Sequence, residues 1–165
     1  MKLDNLLIEL LTEELPPKSQ KQLGIAFAKN IKEFLEDPNF ILIEGDIRDY
    51  NTCLEVSKNV DVISHQAALG SVPRSIDNPI PTNEINAQGF LNMLNAAREN
   101  GVKRFVYASS SSVYGDSKIS PKKEDDLGKP LSPYAVSKLT NELYGRIFHD
   151  LYEMETVGLR YFNVF

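Results

Sequence analysis

The chain has 165 residues, 42% hydrophobic and 25% charged, a composition typical of one globular core. Its net charge of −5 and its dispersed basic residues argue against a nucleic-acid partner. Its one cysteine, Cys53, and two histidines exclude an internal disulfide and structural zinc spacing, so we expect no metal. No apolar stretch approaches the roughly 20 residues of a membrane span, which predicts a cytoplasmic protein with no membrane partner.

The amino-terminal segment predicts one strand and one helix. An apolar strand covers residues 6–11, and Pro16 and Pro17 interrupt the chain after it. The helix that follows has apolar residues at three-to-four spacing and ends at Asp37–Pro38.

From residue 39 onward, short apolar runs alternate with longer amphipathic stretches. The runs are rich in β-branched and aromatic residues, as buried parallel strands are. The predicted strands are Phe40–Ile43, Val60–Ser64, Phe105–Ala108 and Val157–Phe162. The predicted helices are Asn51–Lys58, Thr82–Asn100 and Pro133–Met154, and Asn100–Gly101 is typical of a helix stop. This alternation predicts an α/β fold with a doubly wound parallel sheet.

Four serines, Ser109 to Ser112, directly follow the predicted strand Phe105–Ala108. They therefore lie at the carboxyl edge of the predicted sheet, where open α/β sheets bind their ligands. Hydroxyl groups at this edge can donate to a substrate oxygen. Serines also end strands and cap helices, so the run alone leaves both interpretations open.

A second group of polar residues opens the helix that begins near residue 133. Ser132 is placed as its amino-terminal cap and Pro133 at its first position. Tyr134 and Lys138 are then one turn apart on the same helix face. A lysine ammonium near a phenol lowers the phenol's pKa from about 10 toward the range of a general base.

Residues 39–165 resemble the interior of an extended short-chain dehydrogenase/reductase, and are similar to the UDP-N-acetylglucosamine 4-epimerases within that superfamily. The segments that carry the resemblance are Gly45–Asp49, His65–Ser75, Ser109–Gly115, Pro130–Lys138 and Gly158–Phe165. The run from Ala67 to Ser75 resembles the branch that acts on N-acetylated sugars. The resemblance implies a Rossmann-like fold, NAD as cofactor, a UDP-N-acetylhexosamine as substrate, and a homodimer formed through the two long helices.

The resemblance also implies roles for individual residues. Tyr134 would remove the proton of the sugar 4-hydroxyl, Lys138 would tune it and bind the nicotinamide ribose, and Ser110 would bond the reacting oxygen. Hydride would pass from C4 to NAD and return to the other face of the 4-keto sugar. The other implied cofactor-binding residues are Asp46, Ile47, Ala67, Ala68, Asn86 and Phe162. The other implied substrate-binding residues are Ser71, Ser111, Ser112 and Asn163.

A dinucleotide site of this fold needs a glycine-rich turn after the first strand, because the pyrophosphate approaches backbone N–H groups there. The nine glycines are scattered, and the first is Gly24. No strand ending in a ribose-binding acid is predicted between Asp37 and Phe40, and we expect the sugar-nucleotide domain that should follow Phe165 to be absent. These features predict an incomplete Rossmann fold in which the first βαβ unit is replaced.

Residues 1–37 resemble a different family, the amino terminus of the glycyl-tRNA synthetase β subunit. The resemblance rests on Leu6 to Lys18, with Thr-Glu-Glu-Leu-Pro-Pro-Lys as its distinctive part. We therefore expect a foreign strand–helix segment over residues 1–38 and a partial NAD-binding Rossmann domain over residues 39–165. NAD binding by this chain is then in doubt, and the chain is expected to be inactive.

Two other functions are compatible with the sequence. The first is a nucleotide-sugar dehydratase or another extended short-chain dehydrogenase/reductase enzyme. A dehydratase usually has an acid pair beside its active serine, and Ser109 to Val113 includes neither Asp nor Glu, which argues against it. The second is a non-catalytic hybrid remnant, which would neither hold a nicotinamide cofactor nor convert UDP-sugars.

Overall fold

The computed structural model describes residues 6–9 and 40–162. The chain divides into two compact units, Met1–Leu11 with Asp46–Phe165, and Thr12–Gly45. Every described helix and strand belongs to the first unit. The helix expected before Asp37–Pro38, and Asn163, lie outside the described residues.

The described elements alternate between strands and helices along the chain. The strands are β1 (Leu6–Glu9), β2 (Val62–His65), β3 (Arg104–Ser110) and β4 (Glu155–Tyr161). The helices are α1 (Tyr50–Val56), α2 (Val72–Asp77), α3 (Pro79–Asn83), α4 (Phe90–Glu99) and α5 (Pro133–Tyr152). A π-helical turn (Glu84–Gly89) joins α3 to α4, and a 3₁₀ turn (Ser111–Tyr114) follows β3.

The four strands form one parallel sheet in the order β1-β2-β3-β4. The predicted Rossmann-like parallel α/β fold is therefore confirmed. Because the strands run in the same direction, their carboxyl ends share one edge of the sheet. Ala67 follows β2, Ser110 ends β3 and Phe162 follows β4, so three segments with predicted site residues meet at that edge.

The hydrophobic core lies between α4 and the sheet. Helix α4 buries Phe90, Met93 and Leu94 completely, and β2 and β3 bury Ile63 and Phe105 against them. Phe90 and Phe105 pack edge to face with their ring centres 5.7 Å apart, a favoured aromatic arrangement. Such packing fixes α4 on the sheet and with it the π-helical turn that precedes α4.

Helix α5 approaches β3 and β4 closely enough to need two glycines. A Cβ atom added at Gly145 of α5 or at Gly158 of β4 would lie 2.7 or 2.6 Å from the Tyr107 hydroxyl oxygen. Tyr107 is buried in β3, so its ring cannot move to solvent to make room. The absence of side chains at these two positions therefore sets the distance between the helix and the sheet.

Several local predictions are confirmed with shifted ends. The stop at Asn100–Gly101 is present, with Gly101 at φ +71° and Val102 N–H bonded to the Ala97 carbonyl. The strand expected over Phe105–Ala108 extends to Ser110. Two of the four serines thus belong to β3 instead of following it.

The strand predicted over Phe40–Ile43 is wrong. Residues 40–46 form neither helix nor strand, and Phe40 to Ile43 are 38–79% exposed. A run of apolar and β-branched residues favours a strand only where a neighbouring backbone and a covered face are available to it.

The single helix predicted over Thr82–Asn100 is also wrong in its detail. The helical run begins at Pro79 and contains the π-helical turn Glu84–Gly89. Apolar spacing of three to four residues does not distinguish a regular α-helix from one that contains such a turn. Helix α2 was not predicted, although Ser71 caps it and Pro73 lies in its first turn.

Within the described ranges, no helix is both long and apolar enough to cross a bilayer. The same residues contain no group of three His, Cys, Asp or Glu side chains placed to hold a metal ion.

Candidate active site

The start of α5 is fixed by two serines. The Ser132 hydroxyl caps the helix by accepting a hydrogen bond from Ala135 N–H at 3.1 Å, as predicted. Tyr134 N–H is one of the first-turn donors that have no partner inside a helix, and it donates to the Ser75 hydroxyl oxygen at 3.1 Å. Ser75 is fully buried in α2. Helix α2 is thereby bonded to the backbone of the predicted base.

Lys138 is buried one turn after Tyr134, with 3% of its surface exposed. Its ammonium donates to the Ala108 carbonyl of β3 at 2.9 Å and lies 5.9 Å from the centre of the Tyr134 ring. Burial lowers the pKa of the Lys138 ammonium to about 8, because the charged form loses hydration. The structure thus brings the Lys138 ammonium close to the Tyr134 ring. It also bonds this ammonium to Ala108, which lies two residues before Ser110 in β3.

Ser110 ends β3 and caps the 3₁₀ turn that follows it. Its hydroxyl oxygen accepts a hydrogen bond from Ser112 N–H at 3.2 Å. Ser111 and Ser112 are half-buried in that turn, and the Ser112 hydroxyl oxygen is buried with no hydrogen-bond partner among the described residues. A buried hydroxyl with free bonding capacity at the carboxyl edge of the sheet is available to a ligand.

Asn86 lies in the π-helical turn and connects three parts of the site. Its amide oxygen accepts from Leu69 N–H at 2.6 Å, and its amide nitrogen donates to the Leu69 carbonyl at 2.9 Å and to the Ser137 hydroxyl at 3.2 Å. The loop after β2, which contains Ala67 and Ala68, is therefore tied to α5. In the structure Asn86, a predicted cofactor-binding residue, bonds other residues of the candidate site.

Two of the predicted cofactor-binding residues, Asp46 and Ile47, precede α1. Asp46 forms an ion pair with Arg48, whose guanidinium holds the pKa of the Asp46 carboxyl below its usual value. Ile47 packs on Gly89, where an added Cβ atom would lie 2.7 Å from the Ile47 side chain. The Ile47 carbonyl accepts from the Asn92 amide at 3.0 Å. Ile47 is thus bound to the helical run that also carries Asn86.

The remaining predicted residues lie around the same edge. Ser71 is exposed at φ +78°, and its hydroxyl oxygen accepts from Arg74 N–H. Phe162 is exposed and stacks on Tyr114 with ring centres 6.0 Å apart. The structure does not bring Ser71 into a described contact with Tyr134 or Lys138.

Sequence reasoning missed three residues that position the site. Ser75 was quoted only as part of the resemblance, and its bond to Tyr134 N–H joins residues 59 positions apart. Glu142 and Arg160 form a bidentate ion pair between α5 and β4. The position of Glu142, one turn after Lys138 on the same helix, could have indicated that Glu142 lies near the site. The position of Arg160 relative to Glu142 depends on the fold and could not be predicted from the sequence.

The described residues fit one end of NAD better than the other. At the nicotinamide-ribose end, the buried Lys138 ammonium has three donors, and one of them bonds Ala108. At the pyrophosphate end, β1 occupies the place beside β2, and the sequence after it reads Leu-Leu-Thr-Glu-Glu without a glycine. That stretch therefore lacks the glycine-rich turn that a dinucleotide site of this fold needs.

Comparisons with known proteins show which family this chain resembles. The family model for the NAD dependent epimerase/dehydratase family matches residues 10–165. A putative UDP-glucose 4-epimerase from Methanocaldococcus jannaschii is 37% identical over 131 residues, which are 78% of this chain and 43% of that protein.

Two solved structures are also similar. A UDP-N-acetylglucosamine 4-epimerase from Methanobrevibacter ruminantium, in complex with UDP-N-acetylmuramic acid, is 38% identical with a TM-score of 0.75 over 79% of this chain and 42% of that one. An epimerase from Methanothermobacter thermautotrophicus is 42% identical with a TM-score of 0.74 over 79% of this chain and 40% of that one. The chain spans less than half the length of each of these relatives. With the family model matched over most of its length and the Tyr134–Lys138 helix docked on the serine-bearing strand, the chain belongs to the NAD dependent epimerase/dehydratase family.

Proposed function

We propose that residues 40–162 carry the proton-transfer part of a UDP-N-acetylhexosamine 4-epimerase site. The observation that carries the proposal is the buried Lys138 ammonium, bonded to β3 beside Ser110 and one turn from Tyr134. A fixed cation next to a phenol favours the phenolate, which can accept a proton from a sugar hydroxyl.

The proposal assigns a role to each of these three residues. Tyr134 accepts the proton of the sugar 4-hydroxyl, Lys138 stabilises the phenolate and binds the nicotinamide ribose, and Ser110 donates to the reacting sugar oxygen. NAD, when bound, supplies the hydride chemistry at C4. Asn86 keeps the loop with Ala67 and Ala68 against α5.

The N-acetylated substrate class is supported by the run Ala67–Ser75 and by the similarity to a UDP-N-acetylglucosamine 4-epimerase. In the run it is Ser75 that bonds the backbone of Tyr134. The dehydratase alternative needs a free acid near Ser110. The carboxylate of Glu142 reaches the neighbouring Ser109, but it is engaged by Arg160, which favours epimerisation.

The proposal includes two further statements about this chain: it binds NAD weakly, and on its own it is inactive. The sequence after β1 contains the adjacent acids Glu13 and Glu14 and no glycine before Gly24, a composition that disfavours a pyrophosphate site. Residues 1–38 are then a foreign segment whose strand extends the sheet without restoring the phosphate site, and residues 39–165 are a partial NAD-binding domain.

We also propose a homodimer formed through the face of the two long helices. One side of α5 has an apolar stripe at spacings of seven and four residues, each member at least 48% exposed: Val136, Leu143, Ile147 and Leu151. Helix α4 is mostly buried, so α5 supplies most of the apolar contact to a second copy. An exposed apolar stripe of this kind is typical of a protein interface.

A chimera tests the catalytic proposal. Residues 40–162 replace the corresponding segment of the Methanobrevibacter ruminantium epimerase, and conversion of UDP-N-acetylglucosamine to UDP-N-acetylgalactosamine is followed by chromatography. Tyr134→Phe removes the proton acceptor and is expected to lower kcat by about 10²–10⁴-fold with KM nearly unchanged. The exposed Tyr152→Phe is the matched control, with unchanged kcat expected.

The chimera result has two contradicting outcomes. Activity that survives Tyr134→Phe removes this residue from its role. A 4-keto-6-deoxy sugar as the product, in place of the 4-epimer, favours the dehydratase alternative.

Calorimetric titration of NAD into the purified chain tests the cofactor proposal. We expect no saturation below about 1 mM, because the sequence after β1 has no glycine-rich turn and contains two adjacent acids, Glu13 and Glu14. The unmodified Methanobrevibacter ruminantium epimerase is the positive control for NAD binding. Submillimolar saturation of this chain would overturn the proposal of weak binding.

Light scattering after gel filtration tests the dimer. The unmodified chain is expected to be dimeric, and Leu143→Glu is expected to yield a monomer because it buries a charge at the centre of the apolar stripe. Arg146→Glu changes the charge of an exposed neighbour outside the stripe and should leave the dimer intact. A monomeric unmodified chain contradicts the proposal.

A further inference from the structure

The Glu142 carboxylate of α5 is the centre of a cluster that joins three elements. One of its oxygens accepts from the Ser109 hydroxyl at 2.5 Å and from Arg160 Nε at 2.9 Å, and the other accepts from Arg160 Nη2 at 2.8 Å. Ser109 lies in β3 and Arg160 in β4. We call Ser109, Glu142 and Arg160 the carboxylate cluster.

The register of the sheet explains why these side chains meet. Ser109 and Arg160 are direct partners in the parallel β3–β4 pair, so their side chains leave the sheet on the same face. Glu142 lies four residues after Lys138, one turn further along α5. Two bonds therefore join α5 to consecutive residues of β3, Lys138 to the Ala108 carbonyl and Glu142 to the Ser109 hydroxyl.

Two bonds one helical turn apart restrain more than one bond does. The bond from Glu142 adds a second fixed point to the one from Lys138 and so restrains the orientation of α5 on β3. Arg160 holds the Glu142 carboxylate through two parallel bonds, a geometry that fixes its orientation. Ser110 follows Ser109 directly, so its position relative to Lys138 is fixed by the same contacts.

Burial distinguishes this ion pair from a surface pair on the same strands. The side chains of Glu142 and Arg160 are each 16% exposed, whereas those of Arg104 and Glu155 at the other end of β3 and β4 are 52% and 54% exposed. The hydrogen bonds that Arg160 donates to the Glu142 carboxylate raise the pKa of Arg160 above its usual value. A shielded bidentate pair orders its neighbours, while an exposed pair is screened by solvent.

Arg160 also connects the cluster to the substrate side of the site. Its guanidinium lies 4.9 Å from the centre of the Tyr114 ring, and its Nη1 donates to the Glu124 carbonyl at 2.7 Å. Tyr114 ends the 3₁₀ turn that begins at Ser111, and Phe162 stacks on its ring. Through Arg160 the cluster therefore contacts the 3₁₀ turn that contains Ser111 and Ser112, and Tyr114 connects it to Phe162.

We propose that Glu142 and Arg160 are positioning residues that lock α5 on β3 so that Lys138 and Tyr134 stay beside Ser110. The proposal rests on the proposed function, because it assigns these two residues a purpose in that site. Neither residue needs to touch the substrate. Their effect passes through the Ser109 hydroxyl and the orientation of α5.

The pKa of Lys138 depends on how α5 is positioned, and it can be measured without enzyme turnover. The chain is labelled with ¹³C at the lysine ε-carbon, and NMR follows the titration of each lysine, with Lys138→Arg to assign the signal. In the unmodified chain, Lys138 is expected to titrate near pH 8 because it is buried. Loosening of α5 admits water, so Glu142→Gln and Arg160→Gln should each move this titration up by about one pH unit or more.

The two variants separate positioning from simple charge effects. Loss of the Glu142 anion alone would lower the Lys138 titration, and loss of the Arg160 cation alone would raise it. Only a change in the position of α5 would raise the pKa of Lys138 in both Glu142→Gln and Arg160→Gln. Glu155→Gln breaks the exposed pair on the same two strands and is the matched control, with no change expected at Lys138.

Opposite shifts, or an unchanged titration in either variant, would overturn the proposal. If both variants fail to fold, Ser109→Ala decides the question, since it removes one hydrogen bond and no charge. It should move the Lys138 titration upward by a smaller amount, and no movement would again be contradictory. Because the titration requires neither NAD nor sugar, its failure leaves the epimerase proposal standing, and an inactive chimera leaves the positioning proposal standing.

Discussion

The hydrogen bond between the buried Lys138 ammonium and the Ala108 carbonyl is the constraint on which the site depends. An ammonium held away from water needs a polar partner, and a strand end offers its carbonyl groups to a helix that packs across it. Gly145 and Gly158 let α5 come close to the sheet around Tyr107. The Ser132 cap and the Ser75 hydroxyl then fix where the helix begins, and therefore where Tyr134 lies.

The two ends of the proposed nucleotide site differ in how well the chain supports them. At the proposed nicotinamide end, Asn86 bonds Ser137 and the next residue, Lys138, bonds β3, so α5 is tied to both the π-helical turn and β3. At the proposed pyrophosphate end, β1 pairs with β2 as a sheet strand, but the sequence after it has two adjacent acids and no glycine before Gly24. Backbone pairing is tolerant of side-chain identity, whereas anion binding is not, so the pairing of β1 does not by itself supply a phosphate loop.

The sequence predicted the parts of the structure that depend on neighbouring residues. The alternation of strands and helices, the Ser132 cap and the stop at Gly101 are local patterns, and each is present. The strand over Phe40–Ile43 failed because a strand needs a partner that composition does not reveal. The π-helical turn was missed because apolar spacing averages over it, and the pairing of Glu142 with Arg160 depends on the β3–β4 register. The candidate site residues were thus predictable from the sequence, while the contacts that hold them in place were not.

The central claim is that the Lys138 cation makes the Tyr134 phenol a stronger acid. Tyrosine labelled with ¹³C at the ζ-carbon lets NMR follow the ionisation of Tyr134 in the unmodified chain and in Lys138→Met. The account predicts that below about pH 8, where Lys138 is charged, a larger fraction of the Tyr134 phenol is ionised in the unmodified chain than in Lys138→Met. Equal ionised fractions in the two proteins over this pH range would contradict it.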